Sequence, residues 1–240
     1  IVFSLFHAFA AINMKADQTI SGTALNMFAP AFAIFIARRL TGTQQIQFTN
    51  TFRISSVPVL GDIPVIGNLF FKNTYITTYI GFAILIISTV VLYYTRFGLR
   101  LRSCGEHPQA ADSVGINVYK MQYAGVIISG ALGGLGGLVF VVPTSTNFNA
   151  SVAGYGFLAL AVLIFGQWHP VKIFGASVFF GLMKTIAATY SSIPVLSTSG
   201  IPSYIYKMIP YIATLIVLVF TSKNSQAPKA EGIPYDKGAR

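Results

Sequence analysis

The stretch Ile76–Tyr94 reads ITTYIGFAILIISTVVLYY and carries no charged side chain. A helix rising 1.5 Å per residue needs about 20 mostly apolar residues to cross a hydrocarbon core about 30 Å thick, and this stretch meets that length. Tyr75, Tyr79, Tyr93 and Tyr94 stand near its two ends, where an aromatic ring with a polar tip suits the boundary between lipid and water. The segment therefore reads as a transmembrane helix, and the rest of the chain is read outward from it.

Similar apolar windows recur at about 20–37, 122–142, 154–166, 172–190 and 204–221, after a partial run over 1–12. The expected fold is all-α, a polytopic transmembrane helical bundle of about 6–7 membrane segments. The window 154–166 is short for a span and suits a broken or re-entrant helix supported by protein neighbours. Over all 240 residues, 54% are hydrophobic and 9% charged, against roughly 25% charged in soluble domains. With no linker to divide it, the chain is expected to form one transmembrane domain over 1–221 and a polar tail over 222–240. It opens at Ile1, inside an apolar run without a basic leader, and is expected to lack upstream sequence.

The formal net charge is +10, yet the basic residues are spread along loops and tail rather than gathered into a stripe that would bind nucleic acid. Membrane topology accounts for them through the excess of Lys and Arg on the cytoplasmic side. Placing 95–121 in the cytoplasm gathers ten there, Lys15, Arg96, Arg100, Arg102, Lys120, Lys172, Lys223, Lys229, Lys237 and Arg240. It leaves four outside, Arg38, Arg39, Arg53 and Lys72, with Lys184 and Lys207 in or beside spans. The tail then lies in the cytoplasm too. The stretch 57–71, with two prolines and two glycines, is expected outside, packed on the membrane surface.

Within the window 122–142, Gly130, Gly133, Gly134 and Gly137 form two overlapping small-xxx-small pairs, which let helix backbones approach closely in lipid. Helix packing is their expected role. Gly154-Tyr155-Gly156 begins a GxGxxA string without the strand or later acidic residue of a nucleotide fold, and GxxxxGK[ST] is absent. Candidate residues along a translocation path are Asn26, Asn147, Phe148, Asn149 and Lys184. The stretch 144–149 suits either a solute vestibule or an ordinary solvated loop. Lys184 is an intramembrane charge, or a side chain snorkelling to the interface. Pro30 is expected to kink its helix and free a carbonyl, and Asn26, one turn earlier, suits a hydrogen bond across helices. His7, His107 and His169 are far apart, without HExxH spacing, and Cys104 is the only cysteine, so neither a metal site nor a disulfide is expected. Acidic residues are missing from the spans, as is a GxSxG elbow, which argues against an intramembrane enzyme and a carboxylate-driven carrier.

The loop 95–121, TRFGLRLRSCGEHPQAADSVGINVYKM, is rich in turn chemistry. Gly105 and Pro108 bracket a helix start with Glu106 near its positive end, and 109–114 supply about two turns before Gly115 ends them. A short polar helix held by a rigid loop suits docking into a groove on a soluble partner. The residues Gly105, Glu106, His107, Pro108, Ala110, Ala111, Asp112 and Gly115 are the candidate coupling set.

At this loop the sequence resembles the permease family of ABC importers for branched-chain amino acids, simple sugars and nucleosides. The resemblance is carried by 98–112, by Gly115-Ile116-Asn117 and by the glycine-rich span 129–137. The stretches 156–161 and 164–170, the segment Gly232-Ile233-Pro234-Tyr235-Asp236-Lys237-Gly238, and 15–26 are similar to its nucleoside-type branch. The resemblance implies a multi-pass permease subunit in a bacterial plasma membrane, with no catalytic residues and no cofactor of its own. ATP and Mg would sit on a separate cytoplasmic ATPase. The implied partners are that ATPase, a second and paralogous permease subunit, an extracytoplasmic solute-binding lipoprotein and membrane lipid. Nucleosides are the expected solute. A simple-sugar permease and, from a different class, a passive channel or secondary carrier are the alternatives.

Overall fold

The computed structural model describes residues 1–47, 53–56, 71–144, 147–192, 202–221 and 226–238. The expected surface segment 57–71 lies outside them except for Phe71. The chain divides into two compact units, Ile1–Ala153 with Pro228–Arg240, and Gly154–Ala227.

The first unit opens with α1 (Val2–Ala8), which widens into a π-helical turn over Phe9–Asn13. A left-handed Lys15, φ 52°, then leads to Asp17, whose carboxylate caps α2 (Gln18–Thr41) by accepting from the Thr19 and Ile20 N–H groups. That pairing holds the Asp17 carboxyl below its ordinary value. Phe3 of α1 meets Phe28 and Phe32 of α2 edge-on, and His7 shares a 3.0 Å hydrogen bond with Ser21. α2 is about 36 Å long at 1.5 Å per residue and runs through Pro30.

Beyond α2, short strands appear that the all-α expectation did not contain. β1 (Ile46–Gln47) pairs with β4 (Asn147–Phe148), and β2 (Arg53–Ser56) with β3 (Lys72–Tyr75), both antiparallel. α3 (Ile76–Tyr94) follows directly. Thr95 then makes an elbow, its hydroxyl donating to the Val91 carbonyl and accepting from the Gly98 N–H that opens α4 (Arg96–Glu106). Gly98 is buried against the Val91 and Leu92 backbone, where any Cβ would collide. α5 (Pro108–Ser113) and α6 (Val118–Thr144) complete the unit, the latter capped by Asn117 accepting from the Lys120 N–H at 3.0 Å.

In the second unit, α7 (Tyr155–Phe165), α8 (Pro170–Thr189) and α9 (Ser203–Thr221) pack together. Val162, Ala176 and Phe180 form its core, with Phe165 and Phe179 in tilted and edge-on ring contacts around Phe180. Gly166 is buried where α7 turns into α8, against the Ile173 backbone.

Among the described residues, four helices are long and apolar enough to cross a membrane: Gln18–Thr41, Ile76–Tyr94, Val118–Pro143 and Pro170–Thr189. Most side chains in those windows are exposed within this chain, as in Ile86 and Ile87 of α3. Only lipid or neighbouring helices can cover such surfaces, so this is an all-α, multi-pass membrane protein. The windows 1–12 and 154–166 form shorter apolar helices, Val2–Asn13 and Tyr155–Phe165.

Candidate functional site

Where one short helix was expected inside the 95–121 loop, two helices form. Glu106, expected near the N-terminal end of the short helix, is the last residue of α4, and His107 links α4 to α5 with φ −143° and ψ 85°. Pro108 is the first residue of α5, where its missing N–H costs nothing. The helix ends in a Schellman arrangement: the Gly115 N–H donates to the Asp112 carbonyl at 2.9 Å and the Ile116 N–H to the Ala111 carbonyl at 3.1 Å. Gly115 takes φ +84°, a conformation that an L side chain resists, so the stop is built into the residue type.

The candidate coupling residues divide between two faces. Pro108 and Ala111 are buried, while Glu106, His107, Ala110 and Gly115 are exposed. Ala111 of the buried face belongs to a cluster with Cys104, Val118 and Tyr235, lined by Ile116, Tyr119 and Met121. Burial pushes the Cys104 thiol up from its ordinary value.

Tyr235 comes from a segment far along the sequence, which sequence reasoning linked to the family but not to this loop. Residues 228–238 lie across α4 and α5. The Ala230 N–H donates to the Gly105 carbonyl at 2.9 Å, and Pro228 lies where a Cβ on Gly105 would touch it at 3.4 Å. The Tyr235 ring meets Tyr119 edge-on at 5.4 Å, and its hydroxyl donates to the half-buried Asp112 carboxylate. Burial first, and this hydrogen bond second, raise the Tyr235 hydroxyl above its usual range. Lys237 approaches Asp112 at 3.8 Å, and Asp236 pairs with Lys15 at 2.7 Å. The Lys15 ammonium and the Gly238 N–H hold the Asp236 carboxyl below its ordinary value.

Lys15, Tyr119, Tyr235, Asp236 and Lys237 were therefore missed as members of this site. One signal was available: the chain has six acidic residues, and Asp17, Glu106, Asp112, Glu231 and Asp236 all fall in these three stretches.

The other candidates lie elsewhere. Gly130 packs on α1 against the Ser4 side chain, whereas a Cβ on Gly133, Gly134 or Gly137 would meet nothing within 4 Å among the described residues outside its own helix. Asn26 is exposed on α2. Asn147 and Phe148 pair with Gln47 and Ile46, and Asn149 accepts from the Ser151 N–H at 3.2 Å. In the second unit, Lys184 of α8 sets its ammonium 3.2 Å from the centre of the Tyr155 ring. Among the described residues no three His, Cys, Asp or Glu side chains are grouped to hold a metal.

Comparison with known proteins identifies the family. The family model for the branched-chain amino acid transport system / permease component matches residues 1–218. The chain is 46% identical over 241 residues to the guanosine ABC transporter permease protein NupQ of Bacillus subtilis (strain 168), covering 100% of this chain and 75% of that one. It is 44% identical over 237 residues to the nucleoside ABC transporter permease protein NupC of Lactococcus lactis subsp. cremoris (strain MG1363), covering 98% and 74%. NupB, a nucleoside ABC transporter permease protein of the same strain, is 28% identical over 158 residues, covering 65% and 42%. No solved structure matches. The chain belongs to the family of the branched-chain amino acid transport permease component, and is a multi-pass membrane permease of the ABC transporter type rather than an enzyme.

Proposed function

We propose that this chain is the permease subunit of a nucleoside importer, driven through α5 by a separate ATPase. The observation that carries the mechanism is the division of α5 into a clamped face and an open one. Pro108 and Ala111 are buried, Ala111 in the cluster with Cys104, Val118 and Tyr235, while Ala110 of α5 and the preceding His107 are exposed and open to a groove on a soluble partner. ATP and Mg belong to that ATPase. Closure of the ATPase on ATP would displace α5 and bias the bundle between outward- and inward-facing states, a two-state element driven by a ligand bound elsewhere. NupQ and NupC, named for guanosine and nucleoside transport, support nucleosides as solute. NupB and NupC occur in one organism, which supports a paralogous second permease. An extracytoplasmic binding lipoprotein would deliver the solute.

The contacts also support an orientation. Lys15, the 95–121 module and 228–238 meet at one end of the first unit, and β1 pairs with β4 beyond the opposite ends of α2 and α6. With the basic excess at the first end, that end is cytoplasmic. The bundle then has about 6–7 membrane segments, the short α7 serving as a broken or re-entrant one.

The test is uptake of radiolabelled guanosine, other nucleosides and simple sugars into proteoliposomes holding the complete transporter. Nucleoside uptake dependent on ATP is expected. Flux without ATP would replace the reading with a channel or carrier, and sugar uptake would correct the solute.

A further inference from the structure

We propose that residues 228–238 act as a positioning strap that ties α5 to the entrance of α2, so that movement of α5 is delivered to α2. The inference rests on the reading of α5 as the contact for the ATPase. Three successive residues of the strap grip three places. Tyr235, 5% exposed, fills the cluster formed by Cys104, Ala111 and Val118. Asp236 reaches Lys15, just ahead of α2, at 2.7 Å. Lys237 approaches Asp112 on α5 itself.

The joint at Lys15 is built to receive a pull. Lys15 holds φ 52°, a left-handed conformation that costs energy in a non-glycine residue and persists only where the surroundings fix it. The preceding turn is closed by the Ala16 N–H donating to the Ala10 carbonyl at 3.0 Å, and Tyr123 of α6 donates to the Asn13 side chain. Two residues on, Asp17 caps α2. A displacement of α5 therefore meets a continuous set of contacts through Ala111, Tyr235, Asp236 and Lys15 to the first turn of α2. Both partners of the Lys15 and Asp236 pair are nearly half exposed, at 44% and 47%, so the pair adds little stability and its contribution is directional. Tyr235 is thus a positioning residue, acting on transport through α5.

The experiment measures nucleoside taken up per ATP hydrolysed by the complete transporter in proteoliposomes. Tyr235→Ala and Asp236→Lys are expected to lower this ratio about fivefold or more, the lower range of ordinary coupling between sites. Tyr235→Phe keeps the ring and should stay within about twofold of wild type. Combining Lys15→Asp with Asp236→Lys restores opposite charges, and should recover most of what Asp236→Lys loses. Ala110→Arg, on the open face of α5, serves as the control for the coupling reading. If it lowers the ratio while the Tyr235→Ala and Asp236→Lys variants transport normally, the strap is overturned and α5 retains its role. If Ala110→Arg leaves the ratio at wild type, the coupling reading falls and the strap falls with it. Should Tyr235→Ala fail to assemble, the charge swap decides: absence of recovery overturns the proposal.

Discussion

The two halves of α6 keep different company. At its first residue Val118 is 1% exposed, enclosed by the cluster of α4, α5 and the strap. In its middle, a Cβ on Gly133, Gly134, Gly136 or Gly137 would meet nothing within 4 Å among the described residues outside this helix. The difference follows from what each environment demands. At the first half, backbone groups left at helix ends and several charges need partners, and the chain supplies them itself. In the middle, every backbone group is already paired within the helix, and close contact with another helix is what small residues favour in lipid. Gly130, packed on Ser4 of α1, marks the boundary between the two.

The largest expected effect breaks the self-sufficient region at its elbow. Gly98→Ala drives a methyl group into the Val91 and Leu92 backbone, an overpacking cost at the upper end of about 1–3 kcal/mol. A lower thermal midpoint in detergent and reduced amounts in the membrane should follow; an unchanged midpoint would mean that the elbow relaxes freely. Gly134→Leu probes the open half. The thermal midpoint of the isolated subunit should hardly move, a change within about 0.5 kcal/mol, while recovery of a co-expressed second permease falls about tenfold, or about 1.4 kcal/mol. A destabilised isolated subunit with intact pairing would reverse the comparison.

Tyr235→Ala opens the strap cluster and should raise maleimide labelling of Cys104, the sole cysteine, about fivefold, in line with modest local opening energies. Labelling at the wild-type rate would show that the cluster closes without the ring. The smallest effect concerns the Lys15 and Asp236 pair. Because the Asp236 carboxyl is held below its ordinary 3.8, its contribution is fully present above that value and lost as pH falls through the lowered one. The difference in thermal midpoint between wild type and Asp236→Asn should therefore be constant from about pH 7 to about pH 5, and shrink only in stronger acid. A difference that disappears near pH 6 would point to another group.

The spans were legible where length and hydropathy decide them, as in α2, α3, α6 and α8. The strands at Arg53–Ser56 and Lys72–Tyr75 were not, because short pairings on a polar loop leave no periodic signal over four residues. In the site, Gly115 and Pro108 announced the end and start of a short helix through their backbone chemistry. α4 escaped notice because its basic residues resemble an ordinary loop, although the hydroxyl of Thr95 caps it. Lys184 drew attention as an intramembrane charge, yet nothing in its own sequence neighbourhood pointed to the Tyr155 ring beneath its ammonium.

By itself the sequence determined what a membrane imposes residue by residue: apolar length, the bias of basic side chains, and the turns that glycine and proline require. Those constraints act locally and need no partner. Only the tertiary structure decided that Tyr235 and Asp236 join Ala111, Asp112 and Lys15, more than a hundred residues away in sequence. The physical reason is that a buried ring or an ion pair obtains its energy from surroundings assembled by the fold, and those surroundings have no counterpart in the neighbouring sequence.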